Sequence, residues 1–419
     1  MSKKSRNGGL TQEGLRLADG ELVYVGCDVH ADKYQVALWS PQRQDWAGEW
    51  VQPADNEALL RRLDKFRSQV VRVVYEAGPT GFGLVRALLA AGFNAEVIAP
   101  SHTPKAPRGP DKCDKLDARQ LACQAAQDRM LHPVHIPTVQ QEQERQIFRV
   151  REQQKKRLAQ LKQRIKALLL FHSLAAPPGL KCWSLAGIAA LRAMRLPEAL
   201  RWSLDELLAE LEEARSGVMR CNRRLQELAR GARFKPLVDR LRTVPGVGLI
   251  VAMGFILELP SPERFASGRQ LGKLLALCPR VQSSGSSSWE CGRALGGHDT
   301  LRALLVEAAW RWVRGDPYAR MVFNRYHAGT ASKLKAIVAT ARKLGIILWH
   351  LLLGPLPYVP GLMRVPPAVA GMPVKQAASG GSTKGGARPR ANGKQATSGG
   401  STKGGARPRA NSKPLALEA

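Results

Sequence analysis

LVYVGCDVHADKYQVALWS, residues 22–40, decides how the N-terminal half is read. LVYVGC, Leu22–Cys27, is an apolar run of strand length, and YQVALWS, Tyr34–Ser40, is a second. Asp28 closes the first strand and opens a short polar turn. Trp46–Val51 extends the pattern as a third strand. Asn56–Phe66 has helical spacing, with Leu59, Leu60 and Leu63 on one face. Val70–Tyr75 (VVRVVY) is β-branched and reads as a buried strand. Phe82–Ala91 is helical and stops at Gly92, Ala95–Ala99 is a strand closed by Pro100, and Lys115–Gln127 is a further helix.

Three strands, helix, strand, helix, strand and helix is the order of an RNase H-like α/β domain, although other α/β domains share parts of it. Acidic residues stand at the ends of these elements. Asp28 ends the first strand and Glu76 the strand Val70–Tyr75, so neighbouring strands would deliver both carboxylates to one end of the sheet. Asp114 and Asp117 are three apart at a helix start and share a face. Any one of them reads equally as a cap or a surface carboxylate, Asp114 above all. Carboxylates held close repel one another unless a divalent cation lies between them, so the four form a candidate oxygen-ligand site for Mg²⁺.

The chain around these acids is strongly basic. Its 419 residues carry 64 Lys and Arg against 34 Asp and Glu, a formal charge of +30. The segment from Pro373 onward contributes about +8, leaving +22 for the rest. A chain of this charge suits a polyanionic partner, and an acidic metal site within it points to phosphodiester chemistry on DNA or RNA. At 44% hydrophobic residues the chain can build sizeable cores. No signal-peptide run follows the basic start MSKKSRNGGL, the longest apolar stretch near Leu249–Leu257 is too short to span a bilayer, and Arg342 and Lys343 interrupt Ala336–Leu353, so no membrane role is expected. Seven scattered cysteines without a CxxC pair read as reduced thiols of a cytoplasmic protein.

Gln140–His172 is a long charged helix with Ile147, Val150, Leu158, Leu161, Ile165 and Leu168 near heptad spacing, and Leu204–Ala229 is another. With a break at Pro177–Pro178, they suggest a coiled-coil hairpin, or alternatively a solvated spacer. The VPGVG within Thr243–Leu259 places a tight turn between helices, which reads either as a turn offering backbone N–H groups to phosphate or as a structural turn alone. Helices follow at Gly268–Leu277, Thr300–Trp312 and Ala331–Leu353. The last carries Lys333, Lys335, Arg342 and Lys343 as candidate nucleic-acid contacts. CPRVQSSGSSS, Cys278–Ser288, reads as a flexible loop rich in serine, with His298 nearby. The stretch from Lys375 recurs almost unchanged from Lys394, in a Gly/Ser/Arg/Pro composition that builds no core and is expected to be disordered.

GCDVHADKYQVAL, VVYEAGPTG and DKCDKLDARQLA, in that order, resemble the DEDD motifs of the IS110 family of transposases. The resemblance continues through LRTVPGVGLIVAMGFILEL, FASGRQLGKLLALCPRVQSSGSSS and LRALLVEAA, and covers roughly residues 21–355. It implies a RuvC-like domain, a coiled coil and a mainly α C-terminal domain bearing a nucleophilic serine. The expected division is a flexible basic N-terminus at 1–20, the DEDD domain at 21–135, coiled-coil helices at 136–235, the transposase domain with its serine loop at 236–365 and the tail at 366–419. It further implies recombination of donor and target double-stranded DNA, guided by a structured non-coding bridge RNA, in a bacterial homo-oligomer (dimer or tetramer) associated with the nucleoid when acting. By motif position the metal-binding acids are Asp28, Glu76, Asp114 and Asp117, and the nucleophile is Ser284, with Ser283 as the competing register. Two departures stand out: GRALGGHD, Gly292–Asp299, replaces a basic stretch common in relatives, and Gln282 stands where they often carry Tyr. The rival readings are a hydrolytic RuvC-like nuclease or junction resolvase and a non-catalytic nucleic-acid-binding protein.

Overall fold

The computed structural model describes residues 17–100, 114–127, 132–284, 287–293 and 297–361. The basic lead is therefore covered only from residue 17, and the repeat tail lies outside the described residues. Five strands form one mixed sheet: β1 (Val23–Val29), β2 (Lys33–Ser40), β3 (Asp45–Pro53), β4 (Val70–Glu76) and β5 (Ala95–Ile98), in the order β3-β2-β1-β4-β5. The first three pair antiparallel, while β1–β4 and β4–β5 are parallel. α1 (Asn56–Asp64) carries the chain from β3 to β4, and α2 (Gly83–Ala90) carries it from β4 to β5. Parallel neighbours require such crossovers. This is the RNase H-like arrangement that the element order predicts.

The two faces of the sheet follow from the period of two along each strand. Val23, Val25 and Cys27 of β1 pack with Val73 and Tyr75 of β4 against Leu59 and Leu63 of α1 and Leu84, Val85 and Leu88 of α2. On the opposite face Tyr24, Val74 and Ile98 meet Leu121 and Ala125 of α3 (Asp114–Ala126). α3 lies so close to β1 that a Cβ on Gly26 would fall 2.1 Å from the Ala118 carbonyl oxygen and 2.5 Å from the Ala122 nitrogen. Arg119 fastens the same helix to β3. Its Nε donates to Glu49 Oε2 at 2.7 Å, and its guanidinium stacks over Trp46. Gly26→Ala therefore forces helix and strand apart. We expect it to destabilise the protein by about 3 kcal/mol, the upper end for overpacking, seen as a lowered thermal midpoint. A melting curve that superimposes on wild type would show that α3 is not held at this distance.

Two sequence expectations need correction here. β1 runs on through Val29, so Asp28 lies inside the strand, paired with Gln35, where it was read as the strand's closing residue. α3 begins at Asp114, one residue before the expected start.

α4 (Val139–Phe171) and α6 (Glu198–Arg230) are the two long helices. They run antiparallel, since Arg151 bonds Asn222 while Arg157, further along α4, pairs with Glu210, earlier on α6. Leu161, Ile165 and Leu169 interlock with Leu204, Leu208 and Leu211 between them. The connection at Pro177–Pro178 contains a further helix, α5 (Leu185–Ala193), that the sequence pattern did not reveal.

α7 (Lys235–Leu241), α8 (Leu249–Glu258), α9 (Gly268–Leu274), α10 (Asp299–Gly315), α11 (Pro317–Thr330) and α12 (Lys333–Leu353) enclose the largest core, around Phe255, Leu305, Trp312 and Leu348. α12 is long and apolar enough to cross a membrane, but its Ile337, Ala341, Leu344, Ile347 and Leu348 are spent inside this core. α11 was not expected. The serine-rich stretch is also not a loop: β6 (Pro279–Ser284) and β7 (Ser287–Arg293) form an antiparallel hairpin. Serine and glycine carry little strand preference, so the backbone pairing that fixes this hairpin leaves no hydrophobic alternation to read.

Candidate active site

Strand register and helix placement draw three carboxylates toward one end of the N-terminal sheet. Cys27 of β1 lies opposite Tyr75 of β4, so Asp28 and Glu76 follow at the same end of adjacent parallel strands. Both share the α3 face: Asp28 has the parity of Gly26 and Tyr24, and Glu76 has that of Val74. α3 runs against β1, with Leu121 and Ala125 near Tyr24 and Ala118 above Gly26. Its first turn, Asp114–Asp117, is therefore directed toward Asp28. Gly26 makes this possible, because a side chain there would hold the helix away.

Asp28 is partly covered, with its side chain 24% exposed, and His30 Nε2 lies 3.0 Å from its Oδ2. The sequence signal for this pair was the i, i+2 spacing at a strand end, which puts both on one face. Burial first, and then the Asp28 charge, push the Cys27 thiol up to about 12, so this cysteine is a core residue and not a nucleophile. Glu76 is exposed and Asp117 half-buried, and neither takes a hydrogen-bond or ion-pair partner among the described residues. The side chain of Asp114 lies outside the described residues.

No three of the described acidic, histidine or cysteine side chains close into a metal-ligating group. The donor set nevertheless suits a hard cation: all four residues are carboxylates, they come from three elements, and Glu76 and Asp117 take no competing partner among the described residues. Mg²⁺ with retained waters needs only one or two direct carboxylates.

Ser284 is the last residue of β6 and pairs with Ser287, while Ser283 pairs with Ser288. Ser284 thus sits at the hairpin turn and Ser283 one step into the ladder. The hairpin belongs to the C-terminal half, whose core is separate from those beneath the acids. At the root of the hairpin is a charged group that sequence reasoning missed. Glu258, buried at the end of α8, accepts from Arg149 Nε and Nη2 at 3.0 and 3.2 Å and lies 3.0 Å from His298 Nε2. Its partners stand 109 and 40 residues away in sequence, so no local spacing announces them. These residues border an open notch of about 290 Å³ with Lys156 and Thr300.

Burial raises the Glu258 pKa, but the His298 and Arg149 hydrogen bonds outweigh it and hold the carboxyl below its ordinary value. The unfolded state therefore binds this proton more readily. Glu258 stabilises the fold fully above the ordinary carboxylate value and loses that contribution as pH falls through its depressed folded-state value. Glu258→Gln should flatten the acid limb of stability against pH, measured by denaturant midpoints at stepped pH. An unchanged acid limb would show that the carboxylate is not held by these partners.

The candidate nucleic-acid residues of α12 divide. Lys333 and Lys335 are exposed. Arg342 is half-buried and lies across α9 at Gly272, and Lys343 is half-buried on another side, where its charge contributes, after burial, to lowering the His350 pKa.

Two family models match the chain. Residues 25–173 match a DEDD transposase model of IS110 type, and residues 238–324 match the model described as "Transposase IS116/IS110/IS902 family". The protein y4qE of Sinorhizobium fredii, named as a transposase, is 30% identical over 303 residues, covering 71% of this chain and 74% of the relative. The transposase for insertion sequence element IS1533 of Leptospira borgpetersenii is 26% identical, over 77% of this chain and 90% of its own. The transposase for element IS1111A of Coxiella burnetii is 26% identical, over 67% and 77%.

Proposed function

The chain belongs to the IS110 family of DEDD insertion-sequence transposases, and we propose that it is a Mg²⁺-dependent, RNA-guided DNA recombinase with Ser284 as its nucleophile. The observation that supports the metal half of this reading is the approach of α3 to Gly26, with Ala118 above Gly26 and Leu121 and Ala125 near Tyr24, so that the helix starts beside the end of β1 that carries Asp28. In this reading those four carboxylates hold the cation. Bound there, Mg²⁺ would neutralise charge on the scissile phosphate and make the serine hydroxyl easier to deprotonate.

The Ser284 hydroxyl oxygen attacks phosphorus, forming a serine–phosphate bond as one DNA strand leaves with a free hydroxyl. Attack by a hydroxyl of the other duplex reverses the step and releases the serine. Each phosphodiester broken is replaced by one formed, so strand exchange needs no external energy source. Ser284 suits this role by its place in the backbone, as the last residue of β6, paired with Ser287 across the hairpin.

Donor and target duplexes must be held together, so more than one copy of the chain is required. The antiparallel α4–α6 pair, read as a coiled coil spanning 136–235, is the proposed assembly element between the DEDD domain at 21–135 and the serine-bearing domain at 236–365. Guide RNA would supply sequence choice by base pairing, leaving the protein to read backbone and shape through residues such as Lys333, Lys335, Arg342 and Lys343. The enzyme would work where the chromosome is, in the cytoplasm of a bacterium. Recombination between donor and target plasmids, with and without the element's structured RNA and with Mg²⁺ or EDTA, tests the reading. Full activity without the RNA would remove guidance from it, and full activity in EDTA would remove the metal.

A further inference from the structure

The serine-bearing hairpin stands on a clamp whose parts come from three distant helices. Its first foot passes through Ala276, held at a left-handed φ of +54° although it carries a Cβ. Strain of this kind persists only where the surroundings over-determine the backbone. The second foot, Gly297–His298, presses directly on it: a Cβ on Gly297 would fall 2.4 Å from the Ala276 Cβ. The His298 N–H donates to the Leu274 carbonyl at 2.7 Å, and the Arg302 guanidinium donates to the Ala276 carbonyl. Both feet are thus locked to one another and to the start of α10.

The His298 imidazole extends this lock outward. Its Nδ1 accepts the Leu301 N–H at 3.2 Å, which caps α10. A ring nitrogen that accepts an N–H carries no proton, so the proton lies on Nε2, which donates to Glu258 Oε2 at 3.0 Å. Glu258 also takes both nitrogens of the Arg149 fork from α4. One buried carboxylate therefore joins the long helix α4, the end of α8 and the root of the hairpin. Capping alone would not need histidine, since Asn, Asp or Ser caps at least as well. The second nitrogen is what the Glu258 contact uses.

We infer that His298 is a positioning residue for Ser284, acting through the Arg149–Glu258–His298 relay that sets the hairpin root relative to α4. This rests on the serine-nucleophile reading. A shift of α4 on assembly would then be passed through Glu258 to His298 at the root of the hairpin.

The test uses the full chain with its RNA and DNA, and compares wild type, His298→Asn, Arg149→Ala and the double variant. Asn restores a capping oxygen, but its amide stops short of the Nε2 position, so the α10 cap is kept while the link to Glu258 is cut. Single-turnover formation of the serine–DNA adduct should fall about 100-fold in His298→Asn, the scale expected when a reacting group is displaced by about 1 Å. DNA affinity should stay unchanged. The double variant should be no slower than the slower single, because both changes break one relay. Hydrogen exchange of the Val281–Ser284 and Ser287–Gly292 amides should quicken in His298→Asn. A wild-type adduct rate and exchange pattern in His298→Asn, or additive losses in the double variant, would overturn the inference. Absence of any adduct in wild type would instead overturn the serine reading, and this inference with it.

Discussion

Asp28→Ala, Glu76→Ala and Asp117→Ala should each slow strand cleavage by about a thousandfold, the effect of losing several kcal/mol of charge stabilisation at the phosphate. Nucleic-acid binding should survive. Each substitution removes a negative charge from a chain of net charge +30, so affinity for a polyanion has no reason to fall. Stability should change little at Glu76, which is exposed and without a partner among the described residues. Asp28 differs, because its carboxylate also meets His30. Asp28→Asn is the sharper variant there: it keeps the shape and a hydrogen-bonding oxygen and loses only the charge. If charge is what matters, Asn and Ala should be equally inactive. The measurement is cleavage of cognate DNA against Mg²⁺ concentration, beside a filter-binding curve for the same protein. Wild-type cleavage in two of the three alanine variants would remove the acids from the mechanism.

The acids were legible because the elements carrying them are legible. β1, β2 and β4 show strand-length apolar runs, and α1 has a helical repeat, so Glu76 could be read at the end of β4 and Asp28 to within one residue of the end of β1. That Asp114 and Asp117 reach the same end could not be read from their spacing. It depends on α3 lying against β1, and the only trace of that contact in the sequence is a glycine, Gly26, in a strand of otherwise large residues. The hairpin was illegible for the opposite reason: its residues are small and polar, and backbone pairing rather than side-chain burial defines it. α5 and α11 are short of periodic signal because each buries few large apolar residues, Ile188 and Leu191 in α5 and Val322 in α11. Glu258 illustrates the same limit. A lone glutamate at the end of an apolar helix looks like a solvated terminus, until Arg149 and His298 are brought to it by the fold.

Ser284→Ala should abolish the denaturation-resistant protein–DNA adduct and with it recombination, a loss of at least about a thousandfold for removal of a nucleophile. The fold should tolerate the change. Alanine removes one hydroxyl from the last residue of β6, at a turn, and surface substitutions of this size usually cost less than about 0.5 kcal/mol. Ser283→Ala should be milder. Ser283 pairs with Ser288, one step further into the ladder than Ser284, which pairs with Ser287. The two variants therefore separate the registers that the sequence left open. The adduct should be digested and mapped by mass spectrometry to one serine, in wild type and in each variant. Mapping to Ser283, or persistence of the adduct in Ser284→Ala, would move the nucleophile by one residue. DNA cut without any adduct would point to water as the attacking group, activated at the acids of the N-terminal sheet, and the hairpin would then be left with a role in holding the strand.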